Sequence, residues 1–218
     1  MRTSTRGLIS SVSGIIAPAF FTLMAIVAGL RYPGYSHLTQ AISELGGVDA
    51  PNPLIQDVNF LVTGLFIITF ALGLSGGFER TPPSAAGPTL IGAFGAVIVV
   101  HAFLPCDAGC EFVTTVGSAH NVTGLLAFLS AIAGVLVLSR RLPAEAEAYR
   151  AYSVVTAAAG LVSLVLWIAL GKAARIPAMN GSLQRVFAGT ILLWIEVTAI
   201  RLLAISRRAP AQGSSSSV

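Results

Sequence analysis

The sequence predicts an all-α fold, a six-helix transmembrane bundle with both termini cytoplasmic. Three observations predict it. Of 218 residues, 55% are hydrophobic and 10% charged, with a mean hydropathy of +0.82, a composition that fits poorly with a water-exposed surface. Apolar runs of about 20 residues recur along the chain, each long enough to cross a hydrocarbon core of about 30 Å as a helix. Segments of about 10 residues alternating apolar and polar, the mark of a membrane β-barrel, are missing. The formal charge of +4 and pI near 9.6 come mainly from arginines at helix ends, so nucleic acid is rejected as a partner.

After a short basic start, Met1 to Arg6, the first apolar run covers Gly7 to Leu30, too long for the core of a signal peptide. Arg31-Tyr-Pro-Gly34 ends it. Ser36 to Gly47 carries apolar residues at 38, 41, 42 and 45, the spacing of a helix with one apolar face, and is expected as a short surface helix in the first outer loop. Helix two is expected from Leu54 to Leu74, with Asp57 and Asn59 in its first turns, where the helix dipole favours a carboxylate. Gly76 to Pro83 reads as a turn, helix three as Pro88 to Leu104, and helix four as Thr114 to Leu138. Arg140 to Glu147 is a polar connection, followed by helix five from Tyr149 to Leu170, a loop from Lys172 to Gly181, and helix six from Ser182 to Ile205. Residues 1–208 thus form one transmembrane domain. Residues 209–218, rich in serine and alanine, are expected as a disordered tail.

Orientation follows from the placing of arginine and lysine in short loops. A cytoplasmic N-terminus puts Arg2, Arg6, Arg80, Arg140, Arg141, Arg150, Arg207 and Arg208 inside, against Arg31, Lys172, Arg175 and Arg185 outside. The protein is therefore placed in the cytoplasmic membrane, and all three histidines and both cysteines fall on the outer side.

Cys106 and Cys110, four residues apart in a loop, are expected to form a disulfide on an oxidising face, with thiolate metal binding as the alternative. Consecutive antiparallel helices bring His101 and His120 to similar depth. One reading makes them metal ligands, completed by His37 or by Asp107, Glu44 or Asp57, a set suited to a divalent ion such as zinc and to hydrolysis. The other makes them polar groups bonded to their neighbours across an interface. An axial haem pair ranks below both, since only two histidines sit at membrane depth. On helix six, Gln184 and Arg185 stand near the outer end and Glu196 lies deeper on the same stripe. Arg185 could grip a lipid phosphate or carboxylate, or form an ion pair with Asp57 or Glu44. Glu196 is expected to pair with Arg201 or with a polar group of its helix.

Arg31-Tyr-Pro-Gly-Tyr-Ser-His37 followed by Ala41-Ile-Ser-Glu-Leu-Gly46, the Pro105 to Cys110 loop, His120-Asn121, and Gln184-Arg185 with Leu193-Trp194 resemble the DUF998 family of prokaryotic membrane proteins. The resemblance covers nearly the whole chain. It implies a six-helix membrane protein and brings no activity with it.

Together these residues point to an outward-facing polar pocket that binds a membrane lipid or similar amphiphile, with Arg185, Gln184 and Asn59 as contacts to the ligand. A metal-dependent lipid hydrolase or transferase would use Glu44 or Asp57 as base. The competing class is a structural, lipid-sensing or transport component in which the same residues lock helices together. A homo-oligomer is compatible with either.

Overall fold

The computed structural model describes residues 5–74, 85–140, 146–172 and 177–208. Among them it is all-helical, with six long helices and no strand. These are α1 (Thr5–Leu30), α2 (Pro53–Leu74), α3 (Ala86–His101), α4 (Thr115–Ser139), α5 (Glu147–Leu166) and α6 (Asn180–Arg208). All but α3 are long and apolar enough to cross a membrane. At about 1.5 Å per residue, α3 spans roughly 24 Å.

The predicted boundaries hold to within a few residues, and the departures have local causes. Helix three stops at His101 rather than Leu104, because residues 102, 103 and 104 bond back three residues instead of four. Pro105 disfavours the α conformation just before it, so the chain tightens and turns. Helix five runs into a wider π turn, Trp167–Lys172. Of Ser36 to Gly47, the span expected as a surface helix, only a 3₁₀ turn forms, Ile42–Gly46. Ile42, Glu44 and Leu45 in it are buried, packed against α1 and α2. The basic start at 1–4, the turn at 76–83, residues 141–145 and 173–176, and the tail at 209–218 lie outside the described residues. So do Arg2, Arg80, Arg141 and Arg175 of the charge count.

Each helix packs on the next in the chain, and α6 returns to pack on α1, so the six close into an up-and-down ring. One apolar core, to which every helix contributes, fills its middle around Phe70, Ile91, Phe94, Ile191 and Trp194. The outward faces are apolar too, with Leu30, Leu72 and Val155 largely exposed, as expected of helices surrounded by lipid tails. Small residues set the closest approaches. A Cβ on Gly64 of α2 would stand 2.6 Å from the carbonyl oxygen of Gly95 on α3, so the two backbones touch only because neither carries a side chain there. Ser10 of α1 donates to Phe70 O on α2 at 2.8 Å, bonding these helices at a buried position.

The first, third and fifth connections gather at one pole of the ring. Val48 N donates to Cys106 O at 3.0 Å, joining the first connection to the third, and Ser182 N donates to Leu38 O at 2.9 Å, joining the start of α6 to the first. The candidate site lies beneath this pole.

Candidate functional site

The first connection is held in shape partly by its own polar side chains. Glu44 accepts from the backbone N–H of Ala41 at 2.6 Å and from Gln40 Nε2 at 3.3 Å, holding the 3₁₀ turn from within. Gln40 Oε1 in turn accepts from Ser36 N at 2.9 Å. The segment is also fixed to α6 by two consecutive side chains. Gln184 Oε1 accepts from the backbone N–H of Ile42. Arg185 donates to Gln40 O at 2.9 Å and Gly181 O at 3.0 Å through Nη1, and to Tyr35 Oη at 2.7 Å and His37 Nδ1 at 2.9 Å through Nη2. Two glycines permit the approach. A Cβ on Gly181 would lie 2.6 Å from His37 O, and one on Gly29 would lie 2.7 Å from the His37 ring.

Every partner of Arg185 is neutral. Tyr35 gives its hydroxyl proton to Ala41 O at 2.8 Å, so it receives the guanidinium as an acceptor. His37 accepts at Nδ1, which requires the uncharged ring; burial, and then the charge of Arg185, hold its pKa below the ordinary 6.5. Neither Glu44 nor Asp57 pairs with Arg185, and no carboxylate among the described residues reaches it. Four of five N–H donors are occupied, while the positive charge is left uncompensated.

The third connection is ordered around Asp107. Its carboxylate accepts from Thr114 N at 2.8 Å, Thr114 Oγ1 at 2.7 Å and Val113 N at 3.0 Å, and these bonds hold its pKa below the usual carboxylate value. Thr114 then caps α4 by accepting from Gly117 N at 3.0 Å. A Cβ at Gly117 would overlap the Asp107 carboxylate, so only glycine lets the loop close over the helix start. Cys106 and Cys110 are joined by a disulfide, buried at both ends, as expected. Asn121 Nδ2 holds the loop from α4 by donating to Cys110 O at 2.9 Å.

Beneath the disulfide, the imidazoles of His101 and His120 stack with centroids 4.2 Å apart and planes 19° from parallel. His120 donates from Nδ1 to Leu104 O. His101 Nε2 meets Thr123 Oγ1 at 3.1 Å, and since that hydroxyl gives its proton to Ala119 O, His101 is the donor. The rings border a central cavity of about 70 Å³, lined by Phe21, Phe60, Phe128 and Trp167 among others. That is room for a few waters, not for an acyl chain.

A larger hollow opens sideways between α1 and α6. Its upper part, about 350 Å³, begins at His37 and Arg185 and continues between Phe21, Ala25, Ala188 and Leu192. Its lower part, about 450 Å³, shares Thr22, Ile26, Gly189 and Leu192 with the upper and ends at Glu196. The two form one crevice, apolar along its walls and charged at its ends. Glu196 does not pair with Arg201. The guanidinium of Arg201 lies over the Tyr149 ring, 4.6 Å from its centroid, on the α5 side of the helix.

A family model described as "Protein of unknown function (DUF998)" matches residues 15–201. The chain belongs to that family. No curated protein and no solved structure matches it. In this DUF998 protein the predicted residues therefore sort by geometry. His101 and His120 come together, but His37 stands with Arg185 and Asp107 is taken up by Thr114 and Val113. Among the described residues, no three of His, Cys, Asp and Glu form a group that could hold a metal ion. Glu44 is engaged in its own turn, and Asp57 stands beside Gly46 at the start of α2. Asn59 is wholly buried, donating to Phe21 O at 3.1 Å and Gln56 Oε1 at 3.2 Å and accepting from Thr63. Sequence reasoning missed Tyr35 and Thr123. The Tyr-Ser-His run before the first turn held a signal for Tyr35; a threonine within an apolar helix gave none for Thr123.

Proposed function

We propose that this chain is a multi-pass protein of the cytoplasmic membrane that binds a lipid or similar amphiphile through an anionic headgroup at Arg185. The observation that carries this reading is the uncompensated guanidinium of Arg185 at the mouth of an apolar crevice of about 350 Å³. A phosphate or carboxylate there gains a charge-assisted bond. A chain attached to it finds an apolar path between α1 and α6 of the size that ligand sites commonly have. The crevice opens toward the surrounding lipid, so an amphiphile enters without crossing water. Two helices of one chain form it, so binding needs no second copy. The pole bearing the disulfide faces outward in this reading, which the arginine distribution and the persistence of disulfides in oxidising compartments both support.

The hydrolase reading has less behind it. A base, a metal and a bound head would have to meet, whereas Glu44 is spent on Ala41 and the stacked histidines border a different, smaller cavity. Binding without chemistry is the reading favoured.

The test is lipid binding by native mass spectrometry on the full chain, comparing phosphatidic acid with phosphatidylcholine. Wild type is expected to prefer the anionic lipid by about tenfold or more, the worth of a single charge-assisted bond, and Arg185→Gln to lose that preference while keeping its helical content. Equal retention of both lipids by wild type would overturn the proposal.

A further inference from the structure

Glu196 is the one carboxyl in the middle of a spanning helix that no neighbour among the described residues neutralises. It is half-buried, carries no hydrogen bond or ion pair, and lines the lower crevice of about 450 Å³. The rest of that lining is Pro18, Ala19, Thr22, Leu23 and Ile26 from α1, with Gly189, Leu192 and Leu193 from α6. No cation is among them. Arg201, the nearest positive side chain along α6, is held over Tyr149 on another face. Arg185 stands eleven residues earlier on α6, about 16 Å along the axis, at the opposite end of the crevice.

An ionised carboxylate at this depth is costly unless a positive charge meets it. The site offers such a charge an apolar chamber large enough for a drug-sized body, with a single hydroxyl, that of Thr22, as its other polar group. We propose that the lower crevice binds a lipophilic cation, an ammonium or other onium group on an apolar body, with Glu196 as its counter-ion. Charge complementarity selects the occupant: the only charge in the lining is negative, and every other wall residue except Thr22 favours an uncharged hydrocarbon or aromatic surface. The inference does not depend on the anionic site at Arg185.

The full chain in phosphatidylcholine nanodiscs would be titrated with radiolabelled tetraphenylphosphonium. Saturable binding to wild type is expected, with at least tenfold weaker binding to Glu196→Gln and unchanged binding to Arg185→Gln. Dicyclohexylcarbodiimide, which enters from the lipid and modifies protonated carboxyls, is expected to label Glu196, and the phosphonium to protect it. Non-saturable binding to wild type, or wild-type affinity in a folded Glu196→Gln, overturns the proposal. So does carbodiimide labelling that the cation leaves undiminished. Should Glu196→Gln fail to fold, the protection measurement on wild type decides. Loss of phosphatidic acid preference in Arg185→Gln, with phosphonium binding intact, separates the two ends of the crevice.

Discussion

His37 Nδ1 accepts an N–H of Arg185, and that one bond would couple acidity to the proposed anion binding. Its pKa lies below 6.5 because burial, and then the guanidinium, disfavour the charged ring. Protonation removes the acceptor at Nδ1, releases Arg185 Nη2 and adds a second positive charge at the crevice mouth. An anion bound there raises the pKa of His37, so binding takes up a proton, and affinity for phosphatidylglycerol, whose phosphodiester keeps one negative charge across this range, is expected to rise as the pH is lowered from 7 through the titration of His37. A binding series run downward in pH from 7.5 measures it. His37→Gln is expected to flatten the dependence, and an unchanged slope would show that His37 is not its source. Asp107 gives the opposite case. Its folded pKa lies below the usual carboxylate value of about 3.9. Its contribution to stability is therefore complete above that value and lost as the pH falls through the folded pKa. Asp107→Ala is expected to lower the melting temperature at pH 7, and the gap from wild type to close as the pH drops below about 3.9, as thermal unfolding over that range would show. The sequence drew attention to Asp107, His37 and Arg185 as polar groups near one pole. It did not reveal their partners, because Tyr35 to Arg185 is a contact across 150 residues.

At the scale of elements, the helices were legible because burying a backbone in lipid leaves few choices: every N–H and C=O must bond within its own segment. Apolar length then gives existence and approximate ends. Packing between helices follows a different rule, set by which small residues meet. Gly64 and Gly95 are two glycines among 22 in the sequence, and nothing local distinguishes them. The structure does, since their backbones touch. Gly64→Val is expected to destabilise the bundle by roughly 1–3 kcal/mol or more, the usual cost of overpacking, measured as a lower melting temperature and faster proteolysis of detergent-solubilised protein. The first connection shows where apolar spacing misleads. Leu38, Ala41, Ile42 and Leu45 sit at helical intervals, yet Ile42 and Leu45 are buried against α1 and α2 while Leu38 is 66% exposed. Tertiary contacts, with Glu44 bonding its own turn, override the amphipathic pattern there.

At the scale of the molecule, closure of the ring creates the α1/α6 crevice, since the first and last helices meet there without a short connection to draw them together. Gly189 lines both parts of the crevice, and a Cβ placed on it meets nothing within 4 Å. Gly189→Leu is therefore expected to fill the crevice at no cost in stability, leaving the melting temperature at or above that of wild type while weakening both phosphatidic acid and phosphonium binding several-fold. A drop in melting temperature together with full binding would show that the crevice is not the path. What the sequence determined alone was a membrane protein of six helices, with a Cys106–Cys110 bridge and polar residues concentrated at one pole. These are properties of segments a few residues to about 25 residues long, fixed by hydropathy and spacing. Only the tertiary structure decided that Glu44, Asn59, Gln184 and Asp107 are occupied by their own neighbours, while Arg185 and Glu196 face a common crevice with their charges unmatched. Whether a polar side chain is satisfied depends on atoms brought from distant parts of the chain, and no local pattern encodes that meeting.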